Sequence, residues 1–369
     1  MRRALRLLGV ALAAALLGSC SQMGPNIPAA AKAQPSTRPS PASTVPHIAA
    51  AAKAASAQLG VQIYWHDVND EWSVEDNAAR LLDYTVGLGA NSVGVSFPIF
   101  TDGARPTRVY TKDGSTPTPA SLQAVIRAAK ARGLRVLIRP LLDEANIATS
   151  PGAWRGSIEP RNMAAWFDSY LATVTPFLAV AQTAGADTFV VGTELNSLVG
   201  QSTQWSKLMQ ASARVFAGQL SYADNWDVWA TGRPMVAGAA PGVDAYPQLH
   251  LADSATVAQI TDAWVGWLRK RPADLTSTVV QEVGITATPG AYKQPAAWGV
   301  AGQSIAPQIQ VKWFAGACAA VKALHINGIY FWNLDAWVDP AKAAHDAGSF
   351  IGRGDSAIKE CFAAGWPGQ

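Results

Sequence analysis

Two glutamates, Glu194 and Glu282, stand where short apolar runs give way to turns. The first follows Thr188-Phe189-Val190-Val191-Gly192-Thr193, and the second lies 88 residues on, after Thr278-Val279-Val280-Gln281. Runs this short, rich in β-branched and aromatic side chains, suit strands buried on both faces. A carboxylate at the carboxyl end of a parallel strand lies where α/β barrels and open α/β sheets place their chemistry. Taken alone, the Glu194 segment also fits a negative charge favoured at the start of a helix. The ends of the other apolar runs argue for chemistry. They offer Tyr64, Trp65 and His66; Arg139 and Asp143; Tyr222 and Asn225; Asp244 and Tyr246; and Trp332, Asn333 and Asp335. Two carboxyl groups among Trp, Tyr, Asn and Arg are what cleavage of a glycosidic bond requires. One must protonate the leaving oxygen, and the other must attack or stabilise an oxocarbenium-like centre. Aromatic faces would stack on the apolar faces of sugar rings, while Asn and Arg would bind hydroxyls and tune the acids.

Something must bring these residues to one face. The apolar runs are Gly60 to Trp65, Ser92 to Phe100, Leu134 to Leu142, Thr188 to Leu195, Leu220 to Trp226, Val243 to Leu249, Thr278 to Ile285 and Ile326 to Leu334, eight in all. Between them, Thr118 can cap and Pro119 open a helix with Leu122, Val125, Ile126 and Ala129 on one face and Gly133 at its end. Trp166, Tyr170, Val174 and Leu178 supply another apolar face at four-residue spacing. Trp205 to Ala217, Ala255 to Lys270 and Ile309 to Leu324 read as further helices, the last with Trp313, Ala317 and Leu324 inward. An Ala-rich helix from His47 to Gln58 would lead into the domain. Eight strand-like runs alternating with helices predict a single (β/α)8 TIM barrel rather than a doubly wound sheet. A dinucleotide fold would want a Gly-rich turn after the first run, where Tyr64-Trp65-His66-Asp67 stands instead.

With 49% hydrophobic and 15% charged residues, the 369-residue chain can bury a substantial core. Part of its formal charge of +3 sits at the start, where Arg2, Arg3 and Arg6 precede the apolar run Leu7 to Leu17. That run is long enough for a signal-peptide core and short for a membrane span. Without those three arginines, 26 basic residues face 26 acidic ones, and no basic stripe remains to suggest nucleic acid. The leader ends Leu17-Gly18-Ser19-Cys20, which resembles the lipobox of bacterial lipoproteins and implies lipidation of Cys20. An ordinary secretory cleavage site beside an incidental cysteine is the alternative. The expected organisation is a signal peptide over 1–19, a flexible tether over 20–46 whose Pro-, Ala- and Ser-rich composition cannot repay the entropy of ordering, and the barrel over 47–369. The expected location is the cell envelope, anchored by lipid to a membrane. Cys318 and Cys361 fall in helical patterns, so a disulfide and two buried thiols both fit. The five histidines show no metal-ligand spacing, and only His66 falls near the site. Neither a Gly-x-Ser-x-Gly elbow nor a phosphate loop occurs, so no metal or cofactor is expected.

Several segments then follow one another in a specific order. They are Arg139-Pro140; Trp154-Arg155-Gly156 with Ile158; Trp166-Phe167-Asp168-Ser169-Tyr170; Gly192-Thr193-Glu194-Leu195; Tyr222 to Trp226; Val243-Asp244-Ala245-Tyr246; Gln281-Glu282-Val283-Gly284; and Tyr330-Phe331-Trp332-Asn333. The ordered set resembles the clan A glycoside hydrolases, specifically family 113, whose described members are β-1,4-mannanases, and it spans the chain from Gly60 to the final helix. The resemblance implies a retaining β-glycoside hydrolase acting on a mannan-like polymer or oligosaccharide, without a metal; a monomer is expected. By position, Glu194 would be the general acid/base and Glu282 the nucleophile. Tyr246 would hydrogen-bond Glu282, and Trp332 would floor the subsite of the reacting sugar. Trp65, Arg139 and Asn225 would contact hydroxyls or Glu194, and Trp337 would serve a neighbouring subsite. Burial and the charge of Glu282 should raise the pKa of Glu194. The chain departs from the common pattern at Thr193, where many clan members carry Asn, at Leu141-Leu142-Asp143, and at Gly284-Ile285, where Gly-Tyr is frequent. A lipoprotein that captures glycans on the same barrel without cutting them is the other reading, although a binder has no need of two carboxylates poised to be unequal.

Overall fold

The structure, a computed structural model, describes residues 57–271, 275–298, 304–343, 348–363 and 365–366. The expected signal peptide, the Cys20 lipidation site and the tether lie outside the described residues, as does most of the expected entry helix. Gln58, assigned from sequence to the end of that helix, instead opens the first strand.

Eight parallel strands close into a barrel: Gln58–Tyr64, Ser92–Thr101, Arg135–Leu142, Thr188–Thr193, Gln219–Asn225, Ala240–Ala245, Val279–Val283 and Gly328–Asp335. Each pairs with its neighbour in sequence, and the first pairs with the eighth, so the sheet has no open edge around the ring. Every one of the eight apolar runs became a strand. A ninth, two-residue strand, Val109–Tyr110, was not expected; it folds back antiparallel on the end of the second strand.

A helix follows each strand, giving the outer ring of a (β/α)8 barrel. The first, Glu71–Gly87, was missed from sequence, although Asp70 caps it by accepting a hydrogen bond from the Ser73 amide and Val74, Ala78, Leu81 and Leu82 bury one face. The second, Pro119–Ala131, starts as expected, with the Thr118 side chain accepting from Ser121 and proline at its first position. The others are Met163–Ala184, Ser202–Val215, the single short turn Trp226–Thr231, Val257–Leu268, Pro307–Ala323 and Asp355–Ala363. In Pro307–Ala323, Trp313 and Ala317 are buried as expected. A disulfide joins Cys318 to Cys361, linking the last two helices, so the pair left open by the sequence is bonded.

Inside the barrel, large side chains meet strands that carry no side chain opposite them. Tyr330 lies over Gly60, Gln62 over Gly94 and Gln281 over Gly242; a Cβ at any of these glycines would fall within 2.4, 2.0 and 2.5 Å of the neighbour. Gln62 donates to the Gln281 carbonyl and Gln281 donates to Ser221, so the polar groups of this layer are largely satisfied by one another. Leu137, Val190, Ala223, Val279 and Tyr330 form an apolar cluster of their own. The interior is therefore a packed floor, and chemistry is confined to the rim at the carboxyl ends of the strands.

Candidate active site

Glu194 emerges at the end of the fourth strand by an abrupt turn. Its φ is +54°, a left-handed conformation that a non-glycine residue holds at a cost of about 1–3 kcal/mol. Neighbouring strands over-determine that turn. The Glu194 amide donates to the Ala223 carbonyl at 2.8 Å, and the next amide, of Leu195, donates to the Tyr222 hydroxyl at 3.0 Å. Gly192 is pinched between Trp205 and Tyr222, where a Cβ would lie 2.7 and 2.9 Å from their rings. Trp205 and Tyr222 in turn meet edge to face with centroids 5.3 Å apart. The motif Gly192-Thr193-Glu194 thus divides its work: close approach, a polar contact to Arg139 through Thr193 at 3.2 Å, and a carboxyl aimed into the rim.

Glu282 sits near the end of the seventh strand, in register with Asp244 on the sixth, which is in register with Asn225 on the fifth. The Tyr246 hydroxyl donates to Glu282 Oε2 at 2.5 Å, and Arg139 Nη2 lies 2.6 Å from Oε1. The same guanidinium nitrogen contacts Asp244 Oδ2, and neither Arg139 nor Asp244 has any exposed side-chain surface. A cation so fully desolvated persists only when paired, and here one arginine spans two carboxylates. Gly284 leaves room for this arrangement, since a Cβ would press on Trp298 at 2.8 Å and on Tyr246 at 3.2 Å.

The two glutamates are chemically unequal. Glu194, 14% exposed, is pushed up to about 7, first by burial, with Arg155 pulling it down and the charges of Glu282 and Glu144 adding to the rise. Burial and Glu282 are the causes the sequence led us to expect; the arginine was not. Arg155 Nη1 lies 3.3 Å from Glu194 Oε2, and its Nε lies 3.1 Å from Glu144 Oε1. Two arginines, Arg139 and Arg155, thus face four acids, Glu144, Glu194, Asp244 and Glu282, and that surplus of negative charge disfavours ionising the last of them.

The other candidates from sequence separate into two groups. Tyr246 and Arg139 reach Glu282, and Trp332 lies against the Arg139 guanidinium, 5.7 Å from it, so these three stand at the carboxylates. Arg139 contacts Glu282 and not Glu194. Trp337, 49% exposed, is at the rim, with its amide held by Asp335. Trp65 is a correction: it has no exposed surface, and its indole N–H donates to the Val68 carbonyl, so it packs among the helices. Alternation along the strand explains this, because Gln62 and Tyr64 take the inward phase and Trp65 the outward one. Asn225 is 6% exposed and its side chain accepts from the Trp226 amide, capping the short helix that follows rather than reaching Glu194.

Tyr64, one of the strand-end residues read from sequence, completes the neighbourhood with Trp298, Arg155 and Glu144, which were not singled out as site residues. Tyr64 stands 6.1 Å from Trp332 and 5.1 Å from His66. His66 bridges Asp67 and Asp335 at 2.8 Å each; burial opposes its charge, but the hydrogen bonds and charges of Asp335 and Asp67 outweigh it and push the imidazole up to about 9.

The model of Glycoside Hydrolase Family 113 matches residues 61–354. Among solved structures, the chain is similar to a family 113 β-1,4-mannanase complex at 18% identity and TM-score 0.65, over 83% of this chain and 99% of that one. It is similar to the family 113 β-mannanase from Alicyclobacillus acidocaldarius in complex with ManMIm at 17% identity and TM-score 0.68, over 83% and 97%. GH5_18 from Streptomyces cattleya in complex with GlcNAc is more distant, at 14% identity and TM-score 0.54, over 83% and 80%. No curated protein matches the sequence. Identities this low speak for the barrel, and the family model speaks for the family.

Proposed function

The chain belongs to Glycoside Hydrolase Family 113, and from that premise we propose that it cleaves a mannan-like β-linked polysaccharide with retention of anomeric configuration. The observation that carries this reading is the inequality of the two carboxyls. Glu282 is held at both oxygens by Tyr246 and Arg139, whereas Glu194 is raised to about 7 and so holds a proton through the mildly acidic range where an ordinary glutamate has lost it. In the first step Glu194 protonates the glycosidic oxygen while a Glu282 oxygen attacks the anomeric carbon, releasing the leaving alcohol and forming a glycosyl ester. In the second, the Glu194 carboxylate takes a proton from water, the water oxygen attacks the anomeric carbon, and Glu282 departs. The aromatic rim of Tyr64, Trp298, Trp332 and Trp337 supports stacking on pyranose faces. The names of the similar family 113 structures favour mannan.

Reducing-end release from β-mannan, β-glucan and galactosamine-containing polymers tests the substrate, comparing the parent with Glu282→Ala. Mannan should be cut by the parent and not by the variant; preferential cutting of another polymer would overturn the mannan reading. Proton NMR of the first-formed reducing end tests the mechanism, because an inverted anomer is incompatible with double displacement.

The same proposal places the chain in the cell envelope, lipidated at Cys20. The disulfide between Cys318 and Cys361 supports an oxidising compartment. Labelled palmitate should enter the parent and not Cys20→Ala; equal labelling of both would exclude this anchor.

A further inference from the structure

Arg155 belongs to a turn that is pressed onto the backbone of Glu194. The Trp154 amide donates to Ser157 Oγ at 3.0 Å and the Ser157 amide returns to the Trp154 carbonyl at 2.9 Å, closing the turn on itself. Gly156 at its centre has no room for a side chain: a Cβ would lie 2.4 Å from the Trp154 ring and 2.9 Å from the Glu194 carbonyl oxygen. Ser197, just past Glu194, donates to the Ile158 carbonyl at 2.7 Å and clamps the other side. The turn therefore has little freedom to carry Arg155 elsewhere. Its guanidinium is shared between Glu144 and Glu194, and all three side chains are at least 85% buried.

We propose that Arg155 and Glu144 are a positioning pair for the Glu194 carboxyl, acting in opposite senses on when it holds its proton. The inference rests on the acid/base role given to Glu194 above. Double displacement asks contrary things of that group, which must donate a proton in the first step and accept one in the second. Arg155 favours the carboxylate needed for the second step. A guanidinium left wholly to Glu194 would keep that carboxylate ionised and forfeit proton donation in the first step. Glu144 prevents this by taking part of the guanidinium and by adding a negative charge of its own. The other groups that bear on Glu194 come from four strands: Arg139 on the third, Tyr222 on the fifth, Asp244 on the sixth and Glu282 on the seventh. Arg139 is already committed to Asp244 and Glu282, and the Tyr222 hydroxyl to the Leu195 amide. The loop pair is thus set apart from the groups that hold the nucleophile.

The test is a titration of the Glu194 carboxyl by infrared difference spectroscopy, with Glu194→Gln as the blank, in the parent, Arg155→Met, Arg155→Lys and Glu144→Gln. The upper limb of the pH profile of kcat/KM on a soluble manno-oligosaccharide is read beside it. Arg155→Met should move both to higher pH by roughly half a unit or more, about a threefold change in proton affinity, and Arg155→Lys by less. Glu144→Gln should move both to lower pH. A purely structural role would depress kcat without this opposed pair of shifts. Shifts in the same direction, or a titration that stays put in both, would overturn the proposal. Should Arg155→Met not fold, Arg155→Lys and Glu144→Gln decide the matter by the same criterion. The infrared titration needs no substrate, so it remains readable even if mannan proves to be the wrong polymer or the reaction proves to invert.

Discussion

A carboxyl that serves as an acid at neutral pH must be disfavoured as an anion, and Glu194 meets that condition at a cost to the fold. Its ordinary ionisation near 4.5 is raised to about 7, chiefly by burial. The unfolded chain therefore binds fewer protons at this position between those values, so folding stability contributed here falls as pH rises from about 4.5 to 7 and is flat beyond. Glu194→Gln cannot ionise, so its melting temperature should gain on that of the parent across this window, while kcat on a natural linkage falls by about 10²–10⁴. A gap in melting temperature that stays constant from pH 4.5 to 7 would contradict the raised pKa. The same ionisation should close the upper limb of kcat/KM near pH 7. The partner carboxyl depends on a different device. Tyr246→Phe removes the hydroxyl from Glu282 Oε2, a charge-assisted hydrogen bond worth about 1.5–3 kcal/mol, so kcat should fall about 10- to 100-fold with the melting temperature little changed. Steady-state kinetics on one oligosaccharide suffices, and an unchanged kcat would mean that Arg139 alone orients Glu282.

Strands and turns determine whether those residues ever meet. The eight strands were legible because each is a compact β-branched or aromatic run, and the glutamates were legible because each sits at the end of such a run. The phase of a strand was harder to read: shifting by one residue exchanges the face toward the site for the face toward the helices. That is why Trp65 was expected at the site when Tyr64 holds the place. The polar phase of Gln62, Tyr64 and His66 was the available signal. Asn225 ends the fifth strand, and its Oδ1 accepts from the Trp226 amide at the start of the next helix, a capping contact that the strand pattern did not show. Arg155 stood out only within the segment Trp154-Arg155-Gly156, and its pairing with Glu144 and Glu194 was not legible, because it depends on how the loop between the third strand and the next helix folds. Where elements approach closely, sequence and structure meet at glycine. Gly192→Ala should push a methyl into Trp205 and Tyr222, costing about 1–3 kcal/mol in urea unfolding. Because Tyr222 also anchors the Leu195 amide, kcat should fall too. Loss of stability with full activity would mean that the fourth strand relaxes away from the site rather than through it.

At the scale of the whole molecule, the first and last elements of the chain meet at one seam. The first and eighth strands pair directly, and the final helix, Asp355–Ala363, bridges the same gap on the outside. Asp355 accepts a hydrogen bond from Tyr84 on the first helix at 2.5 Å, and Phe362 packs 5.7 Å from Phe331 on the eighth strand. A nine-residue helix has few turns with which to hold itself, and helices this short depend on tertiary contacts. The disulfide from Cys318 to Cys361 supplies a covalent one, tying the final helix to its neighbour across 43 residues of chain. Restricting a loop of that length in the unfolded state is worth about 4 kcal/mol in the chain-entropy account. For a domain of this size, that corresponds to a fall of about 6 °C in melting temperature when the bond is absent. Reductant should lower the melting temperature of the parent by this amount and leave a Cys318→Ala, Cys361→Ala double variant unmoved. The first region to lose hydrogen-exchange protection in the reduced protein should be the final helix, since the strand pairing between the first and eighth strands does not pass through it. Equal loss of protection around the whole ring would mean that the final helix is part of what keeps the barrel closed.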